Sequence, residues 1–84
     1  MLELYRLNQL PLNEKAIVER LEVGENMHRR FLDLGLIENT IVECVGRSPQ
    51  GDPLAYLIRG AVIAIRAADC CGIFIRSLKK EGKP

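Results

Sequence analysis

Ser48-Pro49-Gln50-Gly51-Asp52-Pro53 is a turn cluster, and it opens the stretch that decides the fold, S-P-Q-G-D-P-L-A-Y-L-I-R-G-A-V-I-A-I-R, residues 48–66. Two apolar runs follow the turn, Leu54 to Ile58 and Ala61 to Ile65, divided by the pair Arg59-Gly60. Two β-compatible runs split by a Gly-containing pair predict a tight antiparallel hairpin. Gly60 supplies the positive φ that a two-residue hairpin turn requires. Pro53 has no N–H to give to a ladder, so it can only open its strand. The rest of the chain is expected to pack on this hairpin.

Upstream of the turn cluster, Thr40 to Arg47 reads T-I-V-E-C-V-G-R and predicts a strand. Val42 and Cys44 fall on one side of it, and Ile41, Glu43 and Val45 on the other. Cys44 reads as a small buried hydrophobe. From Glu25 to Leu34 the period changes: Met27, Phe31 and Leu34 recur at i, i+4 and i+7, one face of a helix. Gly35 follows, where a helix C-terminus favours a left-handed residue. Burying Phe31 on that face is worth roughly 2–3 kcal/mol. Arg29, Arg30 and Asp33 lie off the face. Lys15 to Leu21 predicts the first strand. Asn13-Glu14 and Glu38-Asn39 read as turns.

Residues 1–9, with leucines at 2, 4 and 7, fit neither period and read as a lead-in segment. Downstream of the hairpin, Ala67 to Cys71 suits one helical or 3₁₀ turn. Gly72 to Arg76 predicts the last strand, and residues 77–84 form a polar tail expected to be mobile. The domain proper is therefore expected over residues 10–76. Five short antiparallel strands, one α-helix after the first strand and a helical turn before the last describe a mainly β protein. A small closed or nearly closed SH3-like barrel fits these short connections. A five-stranded OB-type barrel is the competing architecture.

At 84 residues and a formal net charge of +1, the chain fits one small domain without a strong field for nucleic acid or an acidic membrane. There is no run of 18 apolar residues, hence no predicted membrane insertion. The start lacks a basic region followed by an apolar core, so no signal peptide is expected. Three cysteines, two of them the adjacent pair Cys70-Cys71, suit a reduced, cytoplasmic protein better than a disulfide framework.

Strand alternation yields one more feature. With Tyr56, Ile58, Ile63, Ile65, Ile73 and Ile75 pointing inward, Leu57, Val62 and Phe74 point outward. An apolar patch rimmed by charge marks a partner surface. Its bland alternative is a bulged strand or a cover supplied by residues 2–10.

The sequence resembles the FeoA family, the ferrous iron transport protein A domain. The likeness rests on Arg30-Phe31-Leu32-Asp33-Leu34-Gly35-Leu36, on Ser48-Pro49-Gln50-Gly51-Asp52-Pro53, on Ile58-Arg59-Gly60 and on Ile63-Ala64-Ile65-Arg66, in order and at the expected spacing. Asn13 and Asn39 stand where the family usually has glycine, and asparagine tolerates the left-handed region best among other residues. The resemblance implies an SH3-like barrel that works in the cytoplasm alongside a FeoB-type ferrous iron transporter, whose cytoplasmic part carries a GTPase domain. It implies a non-enzymatic accessory that regulates or helps assemble that transporter. A similar domain ends the iron-dependent repressors of the DtxR type.

The partner-binding candidates are accordingly Leu57, Val62 and Phe74 for apolar anchoring, with Arg29 and Arg30 for charge complementarity. No catalytic or cofactor-binding residue stands out. Single glycines at 35, 46, 51 and 60 make no phosphate loop. Glu25 and His28 share a helix face, and two ligands fall short of a specific metal site, so weak transition-metal binding is the most they support. Two alternatives stand beside the transport reading: a metal-responsive regulatory module and, behind it, a nucleic-acid-binding barrel. The second would want a basic stripe with stacking aromatics, whereas the arginines here are dispersed among 11 acidic residues. The oligomeric state is left open by the sequence.

Overall fold

Six strands form one antiparallel sheet in the computed structural model, which describes residues 3–78. In chain order they are β1 (Tyr5–Arg6), β2 (Lys15–Leu21), β3 (Ile41–Arg47), β4 (Leu54–Ile58), β5 (Ala61–Ile65) and β6 (Ile73–Ser77). A 3₁₀ turn, Leu7–Gln9, follows β1; α1 (Glu25–Leu34) follows β2; and α2 (Ala67–Cys70) precedes β6. The sheet order is β1-β6-β2-β3-β4-β5. The expected five strands become six because Tyr5 and Arg6 pair with Ile75 and Phe74. Strand pairing does not close the sheet, so β1 and β5 remain its edges.

The hairpin occupies the expected residues. Arg59 and Gly60 both take positive φ, 50° and 87°, which gives the two-residue turn the twist its strands need. Ahead of it, Gly51 N–H donates to Ser48 O (2.8 Å) and Asp52 N–H to Ser48 Oγ (2.7 Å). Asp52 Oδ1 then accepts from Ala67 N–H at 2.9 Å, so this turn satisfies an orphan donor at the start of α2. Asn13 and Asn39 adopt φ of 71° and 74°, the left-handed turns expected of them.

Alternation assigns the inner face. Ala16, Val18, Val42, Cys44, Leu54, Tyr56, Ile58, Ile65, Ile73 and Ile75 enter one core with Leu36, α1's Phe31 and α2's Cys70. Leu7 and Leu10 are also buried there, and Tyr56 Oη donates to Leu7 O at 3.1 Å. Leu7, in the 3₁₀ turn, thus brings the segment read as a lead-in into the core. At the other end, Ser77 pairs with Ala16 and Leu78 N–H donates to Lys15 O. The remainder of the expected tail lies outside the described residues.

The helix α1 spans the expected ten residues, and Gly35 ends it at φ 86°. Gly35 N–H returns to Leu32 O and Leu36 N–H to Phe31 O. Its apolar face is buried unevenly. Phe31 is in the core and Met27 is half-buried, but Leu34 is 38% exposed. Leu34 lines a cavity between α1 and β5 instead of entering the core.

Candidate functional site

Sheet register decides which of the outward residues meet. Lys15 on β2 faces Glu43 on β3, Glu43 faces Leu57 on β4, and Leu57 faces Val62 on β5. This row crosses the outer face from a charged pair to an apolar one. Val62 is 66% exposed, and Leu57 is half-buried beside it. Ile17 faces Ile41 one step along the sheet, and Ile41 is 52% exposed. Ile41 and Leu57 share a shallow hollow with Lys15, Glu43, Arg59 and Gly60. The outer face of β3, β4 and β5 therefore carries Ile41, Leu57 and Val62 within a charged rim.

Phe74 does not join them. It lies on β6, with β2 and β3 between that strand and β4. The expected three-residue patch required adjacent strands, and this strand order separates them. The neighbours of Phe74 are Arg6 on β1 and Arg20 on β2. Their guanidinium carbons stand 5.6 and 4.7 Å from the ring centroid, a cation–π cluster on the outer face. Arg20 Nε also pairs with Glu22 Oε2 at 2.6 Å, and Arg76 Nε with Glu19 Oε2 at 2.6 Å. Ile41, by contrast, was missed as a site residue, although its outward position followed from alternation along its own strand.

Arg29 and Arg30 are both exposed on α1. Arg30 reaches a cavity between α1 and β5, which it lines with Met27, Phe31, Leu34, Ile63 and Ile65. Arg66 and Asp69 stand at the same wall. His28 faces a different hollow with Leu21, Leu32 and Ile37. Among the described residues no group of three or more His, Cys, Asp and Glu side chains gathers where a metal ion could bind. No helix among them is long and apolar enough to cross a membrane.

The hairpin turn is tied to the end of α1 through Arg59. Its Nε donates to Gly35 O at 3.0 Å and its Nη2 to Thr40 Oγ1 at 3.3 Å. Thr40 Oγ1 itself donates to Gly35 O at 3.1 Å. This clamp holds one rim of the outer hollow in a fixed place. In the core, burial pushes the Tyr56 hydroxyl far above the usual tyrosine range, and the thiol of Cys70 adds to the effect. Burial likewise pushes the Cys70 thiol up to about 11, against the lowering effect of its hydrogen bond with Tyr56. Both groups are neutral around pH 7 and buried in the core.

Comparison with known proteins agrees with this architecture. No curated protein is significantly similar to the chain in sequence. The solution structure of a FeoA protein from Chlorobium tepidum superposes with a TM-score of 0.87 at 24% identity, covering 93% of this chain and 74% of that one. A FeoA from Stenotrophomonas maltophilia, complexed with zinc, is described as a procaryotic SH3 domain protein and a candidate ferrous iron transport activating factor. It gives a TM-score of 0.74 at 25% identity, over 84% of this chain and 88% of that one. A manganese-dependent transcriptional repressor matches at a TM-score of 0.83 and 16% identity, with 93% of this chain lying on 44% of the repressor. The fold is therefore SH3-like, its sheet curled around the core without a closing strand pair. The FeoA domain model matches residues 5–77, and on that match the chain belongs to the FeoA family.

Proposed function

We propose that this protein is a non-enzymatic, cytoplasmic accessory of ferrous iron uptake that docks on the cytoplasmic region of a FeoB-type transporter and tunes its GTPase-linked activity. Membership in the FeoA family supports the transport role, as does the likeness to a FeoA described as a candidate transport activating factor. The observation that carries the docking role is the outer face of β3 to β5. Ile41 and Val62 are more than half exposed, and they flank Leu57 inside a rim of Lys15, Glu43 and Arg59. An exposed apolar cluster with a charged rim is the anatomy of a protein–protein contact. Arg29 and Arg30 lie exposed on α1 and add charge complementarity that speeds encounter. Phe74 is not an anchor in this reading, because its ring already faces two arginines.

The test is the affinity of the transporter's purified cytoplasmic region for the wild-type chain and for Leu57→Asp, with folding of the variant checked by NMR. A charge at the centre of the contact is expected to weaken binding at least tenfold, about 1.4 kcal/mol. Unchanged affinity of the folded variant removes this face from the account.

A further inference from the structure

β5 is an unprotected sheet edge. The opposite edge, β1, is two residues long and carries Arg6, both common safeguards against stray pairing. β5 is five residues long and reads Ala-Val-Ile-Ala-Ile, without a charge or a proline. Neither sheet irregularity falls in it: one lies between Val18 and Arg20, the other between Cys44 and Gly46.

The hairpin register shows which groups are free. A two-residue turn closes on a hydrogen-bonded pair, here Ile58 and Ala61. Ala61, Ile63 and Ile65 therefore spend their backbone groups on β4, and the N–H and C=O of Val62 and Ala64 point away from it. Among the described residues no strand pairs with that side of β5. Beside this free edge lies a cavity of about 400 Å³ whose apolar wall is Met27, Phe31, Leu34, Ile63 and Ile65. Leu34 is 38% exposed there, and Ile63 half-buried. Two cations, Arg30 and Arg66, stand on the same wall, and neither forms an ion pair among the described residues. Asp69 lines the same cavity; its backbone N–H donates to Arg66 O, and its carboxylate forms no ion pair with either arginine.

We propose that the free edge of β5 takes up an extended, carboxylate-bearing strand of a protein partner by strand addition. The backbone of that strand would bond to Val62 and Ala64, its alternate apolar side chains would fill the cavity against α1, and a carboxylate would pair with Arg30 or Arg66. Charge decides the occupant. A second copy pairing antiparallel about Ile63 would set Arg66 of one chain opposite Gly60 of the other, next to Arg59, so cation would approach cation at both ends. An acid-bearing strand has the opposite sign. If the transport reading holds, the strand belongs to the transporter, and that clause alone rests on it.

The experiment uses the isotope-labelled full chain and two capped peptides of alternating valine and threonine, one ending in two glutamates and its twin in two lysines. The glutamate peptide is expected to shift the Val62 and Ala64 amides and slow their exchange with solvent, with the lysine twin at least about tenfold weaker. Arg30→Glu and Arg66→Glu, both at exposed positions, should reverse that preference. Ala64→Pro removes an outward N–H, a position where an edge strand tolerates proline, and should abolish binding. Equal binding of both peptides, or none, overturns the proposal. Amide shifts that follow protein concentration without peptide mark self-pairing and overturn it too. Transporter binding that survives Ala64→Pro and leaves both amides open to exchange sinks the edge site but keeps the transport reading. Glutamate-peptide binding without any transporter binding does the reverse.

Discussion

Tyr56 carries a hydroxyl into the middle of an apolar core, and its one strong partner is the carbonyl of Leu7, 49 residues away in sequence. Tyr56→Phe keeps the ring and removes one of the two hydrogen bonds to that carbonyl, the other coming from Leu10 N–H, so it should cost about 0.5–1.5 kcal/mol in denaturant unfolding, with the fold retained. The neighbouring Cys70 thiol gives a pH signature. Its ionisation in the folded state is pushed up to about 11, while the unfolded thiol ionises near 9. Above pH 9 the unfolded chain releases this proton first, so stability falls as pH rises from about 9 to 11 and is constant from this source below that window. Thermal unfolding across that range checks the sign, and Cys70→Ala should flatten the slope. The inward places of Tyr56, Cys44 and Ile58 were legible from alternation alone. The Tyr56–Leu7 bond was not, because no local pattern links a core tyrosine to a segment that follows neither period.

At the scale of elements, local chemistry carried most of the information. The hairpin, α1 and its end at Gly35 were all written in residues a few positions apart: the Arg59-Gly60 pair, the spacing of Met27 and Phe31, the glycine after Leu34. Arg59 then couples two of these elements by bonding the carbonyl at the end of α1. A Cβ on residue 35 would meet Arg59 Cδ at 2.7 Å, on a backbone already at φ 86°. Gly35→Ala should therefore destabilise by about 1–2 kcal/mol from the left-handed backbone alone. It should also loosen the clamp, visible as faster amide exchange at Gly60 and Ala61. Arg59→Ala should reproduce the second effect without the first. The exposure of Leu34 went unread because periodicity gives the direction of a helix face and says nothing of how closely that face is packed.

The arrangement of the whole sheet is where sequence reading fell short. Alternation turned Leu57, Val62 and Phe74 outward, and each does face away from the core. Whether they touch depends on strand order, a non-local property in which β6 inserts between β1 and β2 rather than beside β5. That order disperses the expected patch into two surfaces. One is a Phe74–arginine cluster near the N-terminal edge, and the other is an apolar face over β3 to β5 that recruits Ile41. The sixth strand escaped for a related reason: two residues cannot display a period, and β1 is defined only by its pairing with β6. A double variant separates the two surfaces. Arg6→Ala with Arg20→Ala removes both cations over Phe74 and should cost about 1–2 kcal/mol of stability, with little effect on partner affinity.

If the outer face of β3 to β5 meets the transporter's cytoplasmic region, an NMR titration of the labelled chain with that region will map the contact residue by residue. Shifts are expected to concentrate at Ile41, Leu57 and Val62, with Phe74 and its arginines unmoved and a response that changes when a GTP analogue is present. Shifts centred on Phe74, or none at saturating concentrations of the transporter region, would rule this docking face out.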